Sequence, residues 1–376
     1  MKLIKLRKPY KLKDYKFNLI ILVLAISFIG ILVVGSANEF YQSRQIVGVV
    51  LGIFIMVIVS LIDYVWIAGF YWLLYFSSIF MLAIVLIPGV GVYVNGARRW
   101  IDIGFTNFQP SEFSKILLIL FFARFIMKHE EDLSERQTII KAVILILIPL
   151  ALIYKEPNLS TTICIALLFC SLMYVGGLSY RFIGTVLVIT IPVAAVFLSL
   201  VVQPDQKILD NYQQKRILAW LDPEEYASDE AYQQNNSVMA IGSGMLTGKG
   251  LNNNTTTSVK NGNFILEPQT DFIFAIVGEE LGFVGCCLVI ALLLLIVIQC
   301  ILIGNRAQDT SGKIISCGVG SLIGIQTFIN IAVATQIFPN TGITLPFVSY
   351  GLTSLVSLYI GIGLVLNIGL QPKKYK

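Results

Sequence analysis

Charge is scarce in this chain. Only 13% of its 376 residues are Asp, Glu, Lys or Arg, against about 25% in soluble domains. Histidine is scarcer: the one present, His129, sits in a charged loop, which argues against His-centred catalysis and zinc chemistry. The six cysteines (Cys164, Cys170, Cys286, Cys287, Cys300, Cys317) lie in or beside apolar runs. They have neither metal-ligand spacing nor a disulfide framework, and read as small buried apolar residues. No internal repeat is evident, which weighs against inverted-repeat transporters. What the chain has in excess is apolar surface. Hydrophobic residues make up 56% of it and its mean hydropathy is +0.80. No soluble fold of this length could bury so much, so the expectation is an all-α integral membrane protein.

About ten runs are long enough to cross ~30 Å of hydrocarbon: 17–36, 44–63, 67–88, 110–128, 138–155, 159–176, 181–202, 271–303, 313–337 and 349–370. Residues 1–16 hold seven Lys/Arg, with no small-residue cleavage site after the first apolar run, and read as an uncleaved cytoplasmic tail. With that tail inside, the inner segments carry more than half of the 27 basic residues, as the positive-inside rule requires. Both termini are then cytoplasmic, and the expected arrangement is one polytopic domain over 1–376. Two loops face outward, about 89–109 and about 203–270, the second lying between spans seven and eight.

The polar residues collect at that outer boundary. Asp271 stands where the long loop meets the eighth apolar run, and Glu279 and Glu280 follow inside it. Intramembrane carboxylates cost roughly 2.5–3.5 kcal/mol each on insertion scales, which makes them functional candidates. Asp271 also has a plain reading as an N-cap or first-turn acid. One of Glu279 and Glu280 is expected to pair with a cation from another span, Lys115 and Arg99 both being candidates. In the first outer loop, Arg98-Arg99-Trp100 sets two cations and an aromatic at the membrane edge. Gln109-Pro110-Ser111-Glu112 then opens span four with good helix-start chemistry. Glu112 and Lys115 share a helix face, either as a local ion pair or as part of a site. Lys155-Glu156-Pro157-Asn158 breaks the chain between spans five and six, lining a cavity or making a plain turn.

Within the large loop, residues 211–221 interleave Tyr212, Ile217, Trp220 and Leu221 with Lys215 and Arg216, which suits a helix in the headgroup plane. A second short helix is expected over 232–246, stopped by Gly248-Lys249-Gly250. These glycines lack the spacing of a phosphate loop. Residues 252–262 are rich in Asn and Thr and read as mobile. The last outer loop, Phe338 to Gly351, has two prolines and a non-helical path at membrane depth, tolerated only where protein or water satisfies the backbone.

EPQTDFIFAIVGEELG, NFQPSEFSK, GARRWI, KEPNLST and FPNTGITLPFVSYG occur in this order and together closely resemble the SEDS family (shape, elongation, division and sporulation). The wording around Asp271 is more like the elongation member than the division member, and a sporulation paralogue stays open. The resemblance implies a peptidoglycan glycosyltransferase of the bacterial plasma membrane, polymerising lipid II into glycan strands at the outer face. It implies a class B penicillin-binding protein, a transpeptidase, as partner, and no nucleic acid. It places the essential loop aspartate on Asp271, the Arg-Trp pair on Arg99 and Trp100, and the fourth-span pair on Glu112 and Lys115. Two departures stand out: Asn158 replaces the family's usual Asp, and Gly351-Leu352-Thr353-Ser354 replaces its Gly-Gly-Ser.

The expected chemistry makes Asp271 the general base. Arg99, Lys115 and Lys155, or a divalent cation (Mg or Mn), would hold the leaving diphosphate, with Glu279 among the substrate-binding residues. The competing reading is a lipid II flippase or other carrier, which should gather its polar residues at mid-membrane.

Overall fold

The computed structural model describes residues 14–94, 97–104, 107–180, 199–203, 211–226, 231–252, 264–265 and 267–371, with positions 184, 188, 192, 196 and 258. Most of the basic tail, most of 181–202 and most of 252–262 lie outside these residues.

Apolar runs too long for a strand become helices because a helix satisfies its own backbone, the one open structure that hydrocarbon tolerates. In chain order they are α1 (Phe17–Ala37), α2 (Glu39–Leu61), α3 (Tyr64–Gly69), α4 (Tyr71–Val85), α5 (Pro110–Lys128), α6 (Arg136–Lys155) and α7 (Leu159–Val175). After them come α8 (Asn211–Leu221), α9 (Tyr232–Ser243), α10 (Ile273–Asn305), α11 (Thr310–Ala334) and α12 (Leu352–Gly369). The expected third span is in two pieces. The Asp63 side chain accepts from Val65 N to start α3, and the chain bends at Phe70 before α4 resumes.

Burial separates centre from rim. In α11 and α12, 72% and 78% of the apolar window is buried, against 33–39% in α1, α2, α6 and α10. The first two therefore form the middle of the bundle, and the others turn apolar faces outward. α12 packs along α2, α10 along α11, and α4 along α5. α5 is buried without a break from Leu118 to Ala123, so its polar first turn is anchored in protein.

One element was absent from the all-helical expectation. The first outer loop folds into an antiparallel sheet of β1 (Gly91–Val94), β2 (Ala97–Asp102) and β3 (Asn107–Phe108), in that order. Val92 pairs with Trp100, and the register shifts between Val92 and Tyr93. The alternation is too short to show as a sequence period, but it fixes Arg99 and Trp100 on a rigid ribbon.

The second departure lies inside α10. Gly282 has φ +65 and ψ −165, so the helical path breaks there. The glycine-rich stretch after α9 docks on the break. Lys249 N and Gly250 N donate to Glu279 O and Glu280 O, each at 3.0 Å, while Phe283 N and Val284 N donate to Met245 O and Leu246 O at 2.9 and 3.1 Å. These bonds satisfy backbone groups that the kink frees. A Cβ on Gly244 would strike Gly278 O, and one on Gly248 would strike Glu280 O. The glycines are there for close backbone approach.

Candidate active site

Where α2, the sheet, α5, α8 and the ends of α10 and α12 meet, the protein encloses a polar cavity of about 600 Å³. Asp271 lines it. α10 starts at Ile273 after Phe272, with no side-chain cap, so Asp271 caps no helix. It is held by its backbone instead. Asn330 Nδ2 of α11 donates to Asp271 O at 2.8 Å and to Ile343 O at 2.7 Å. Ser349 Oγ donates to Thr270 O at 2.6 Å, and Tyr350 N to Gln269 O at 2.8 Å. The last outer loop is thus stitched to the aspartate's own segment. Gly342, at φ +66, lies beside the carboxyl: a Cβ there would come within 3.0 Å of Asp271 Oδ2. Its bareness keeps the carboxylate open.

Electrostatics around Asp271 pull in two directions. Desolvation raises its pKa above the ordinary carboxylate range, Arg216 and then Arg99 pull it down, and Glu267 adds to the rise. Arg99 reaches the cavity from β2. Its Nε donates to Glu156 O at 3.2 Å and its Nη2 to Pro157 O, which ties the sheet to the break between α6 and α7. That break is no plain turn. Glu156 is fully buried, and burial pushes its pKa up to about 8 against the lowering effect of Arg99. Asn158 keeps the helix-start role open to an Asp there: its side chain accepts from Thr161 N at 3.3 Å at the start of α7.

Glu112 also lines the cavity. Lys115 sits behind it, bonded to Glu112 Oε1 at 2.7 Å, with the side chains 1% and 6% exposed. Trp100 completes the expected residues that meet here. The other two do not. Lys155 ends α6 with its side chain exposed, outside the cavity lining, because the buried neighbour is Glu156. Glu279 is also outside the lining. It pairs with Lys249 at 2.8 Å, and Glu280 accepts from Ser36 Oγ at 2.5 Å. The cation that meets Glu279 thus comes from the docked loop and the hydroxyl that meets Glu280 from α1, because the break at Gly282 receives that loop on this stretch of α10.

Sequence reasoning missed Arg216, Arg44, Tyr41 and Glu267, all on the cavity wall. Arg216 sits in α8, which was expected to lie among headgroups. Instead α8 buries Ile217 and Ala219. Trp220 Nε1 donates to Gln336 O at 3.2 Å and Ile337 O at 3.1 Å, and Arg216 Nη1 to Asn340 O at 3.2 Å. An amphipathic pattern fits a protein surface as well as a membrane surface, so only the partner loop decides.

A many-helix bundle whose polar cavity sets Arg44, Arg99 and Arg216 beside the carboxylates of Asp271, Glu267, Glu112 and Asp102 at one mouth defines an integral-membrane protein with a charged site at one end of the bundle. The chain belongs to the family described as cell cycle proteins of the FtsW/RodA/SpoVE type, whose pattern matches residues 15–374. It is 35% identical over 362 residues to the peptidoglycan glycosyltransferase MrdB of Escherichia coli K12, covering 95% of this chain and 94% of that protein. A probable peptidoglycan glycosyltransferase FtsW of Trichlorobacter lovleyi is 33% identical over 375 residues, covering 96% and 95%. Among solved structures, a peptidoglycan synthase complex coordinating polymerisation and crosslinking matches with TM-score 0.78 and 26% identity, over 94% of this chain and 97% of that one. The rod shape determining protein RodA of Thermus thermophilus matches with TM-score 0.68 and 25% identity, over 94% and 96%.

Proposed function

We infer that this chain is a peptidoglycan glycosyltransferase of the bacterial plasma membrane that polymerises lipid II at the outer face. The observation that carries the mechanism is the meeting of Asp271 with Arg44, Arg99 and Arg216 in one polar cavity at one end of the bundle. A carrier would need its polar groups deeper in the membrane.

The reaction joins an acceptor sugar hydroxyl to the anomeric carbon of a donor linked to lipid diphosphate. The hydroxyl oxygen attacks that carbon, and its proton passes to the Asp271 carboxylate. The bond from the anomeric carbon to the diphosphate oxygen breaks, and the diphosphate leaves with the electron pair. One displacement inverts the anomeric carbon. A base placed within hydrogen-bond reach is worth about 10²–10⁴ in rate. The leaving group is already anionic and needs stabilising charge more than a proton. Arginine forks suit phosphate oxygens, so Arg99 and Arg216 hold the diphosphate, with Arg44 on the same wall. Lys155 has no part in this. Lys115 acts through Glu112, fixing its carboxylate at the cavity edge.

Among the described residues, no group of three or more His, Cys, Asp or Glu side chains is placed to hold a metal ion. Magnesium sites commonly use one or two carboxylates completed by substrate phosphates. Asp271 and Glu267 fit that pattern and would hold such an ion, which would supply charge neutralisation at the diphosphate. The likeness to a synthase complex that polymerises and crosslinks supports a class B penicillin-binding protein as partner.

The test is lipid II polymerisation by the purified chain, alone and with its cognate transpeptidase, beside Asp271→Ala. Glycan strands from the wild type and none from a folded variant are expected. Strands from Asp271→Ala at the wild-type rate would refute the assignment of the base.

A further inference from the structure

The end of the bundle away from Asp271 has a pocket of its own. A crevice of about 230 Å³ opens between the start of α1 and the ends of α10 and α12. α12 begins at the cavity wall and ends at this crevice. Its 18 residues rise ~27 Å at 1.5 Å each, close to the hydrocarbon thickness. The two pockets therefore sit at opposite membrane surfaces.

Two cations face this crevice, Lys16 and Arg306, with the amides of Asn18 and Gln299 beside them. Among the described residues neither cation has a carboxylate or a side-chain hydrogen-bond partner. Asp309, three residues past Arg306, is already engaged by Gly312 N at 2.7 Å and the Tyr64 hydroxyl at 2.9 Å. The Lys16 stem lies over Gly369, where a Cβ would come 2.9 Å from Lys16 Cγ, so a bare position makes room for it. The C-terminal ends of α10 and α12 contribute about half a negative charge each, against two full positive charges. The crevice stays net positive. Its other walls are apolar, formed by Leu302, which is exposed, and by the buried Ile303 and Ile368. The chain on either side is basic: Lys11 and Lys13 precede it, and Lys373 and Lys374 follow.

We propose that this crevice binds the phosphate headgroup of an anionic phospholipid of the cytoplasmic leaflet, between Lys16 and Arg306, with the acyl chains against the exposed Leu302. Basic pockets between helix ends on this side are suited to such headgroups. A free phosphate shares the charge but not the acyl chains, and so would leave the apolar walls unused. The proposal does not depend on Asp271 chemistry.

The test is native mass spectrometry of the full chain in detergent, titrated in parallel with phosphatidylglycerol, phosphatidylcholine and inorganic phosphate. The variants are Lys16→Gln/Arg306→Gln and, as a charge-matched control, Lys11→Gln/Lys13→Gln. The first pair should weaken phosphatidylglycerol binding by about tenfold or more, while the control stays near wild type and phosphatidylcholine binds all three weakly and equally. Equal losses in both pairs would reduce the effect to general surface charge and overturn the site. So would undiminished phosphatidylglycerol binding in the crevice pair, or inorganic phosphate binding as tightly as the lipid. Arg306 is exposed, so Arg306→Gln alone serves if the double variant does not fold; it should lose part of the same affinity, and wild-type binding would again overturn the site.

Discussion

A carboxylate accepts a proton only while it is ionised, and the surroundings of Asp271 act on that condition with opposite signs. Desolvation raises its pKa, and Arg216 and Arg99 restrain the rise. Because the active form is the ionised one, activity is lost as pH falls through this raised pKa. Arg216→Gln should therefore move the acid limb of the rate profile to higher pH, and Glu267→Gln should move it lower, since Glu267 raises the pKa. Polymerisation rates from pH 5 to 9 check both signs, and a limb that shifts with neither variant would separate it from Asp271. Glu156 makes a related prediction about stability. Its folded pKa of about 8 lies above its ordinary 4.5. Its neutral form is favoured by the fold, so its contribution is fully present below about 4.5 and is lost as pH rises toward 8. Glu156→Gln should flatten the fall of the thermal midpoint over that window. The Glu112–Lys115 pair behaves differently. Breaking a buried pair by removing one partner costs about 3–5 kcal/mol, whereas replacing both is often near neutral. Lys115→Met should lower the thermal midpoint strongly, and Glu112→Gln/Lys115→Met should recover most of it. In sequence, Glu112 and Lys115 were visible as a pair because three residues on a helix put them on one face. Arg216 was not, because its role depends on the Gln336–Asn340 loop more than a hundred positions away.

At the scale of elements, the site is assembled by irregular backbone docked on regular helices. The last outer loop is joined to the Asp271 segment through Asn330 and Ser349, and α8 is latched to that loop through Arg216 and to the residues just before it through Trp220. Trp220→Phe keeps an aromatic ring and loses the one indole N–H that Gln336 O and Ile337 O share, a change on the order of 1 kcal/mol. It should loosen Arg216 and raise the KM for lipid II more than it lowers kcat. A comparable fall in kcat with unchanged KM would contradict a latch that acts on substrate binding. The glycine-rich stretch on the α10 break is the stiffer joint. Gly248 has φ +79 and no room for a Cβ against Glu280 O, so Gly248→Val should destabilise by about 1–3 kcal/mol. The loop should then be cut at lower protease concentration. These joints were legible only in part. Pro339, Pro346 and the glycines announced a non-helical path through the last outer loop. Nothing local announced that Gly282, two residues past Glu280 in the eighth apolar run, would adopt φ +65 and receive Met245 and Leu246. Hydropathy reads composition, and the break is set by a partner segment.

For the whole molecule, the helical, membrane-spanning class was legible because it rests on totals: few charges, long apolar runs, and basic residues gathered in alternate loops. The small sheet was not, since β3 has two residues and no period to detect. What the totals also set is the sidedness on which both proposed sites depend. α1 starts at the crevice, α10 and α12 end there, and the same three helices have their other ends at the opposite surface. The long segment around α8 then lies on the far side from the α7 C-terminus, and the run 181–202, which its hydropathy leads one to expect as a span, stands between them in the chain. A cysteine-free background carrying Ser179→Cys or Asp222→Cys brackets that segment with two exposed positions. A membrane-impermeant maleimide applied to intact cells should label Asp222→Cys and leave Ser179→Cys unmodified until the membrane is opened. Both sites labelled from outside would mean that 181–202 does not cross. Labelling of Ser179→Cys alone would invert the bundle, turning the Asp271 cavity toward the cytoplasm and the Lys16–Arg306 crevice outward, and would remove the outer-face polymerase and the inner-leaflet lipid site together.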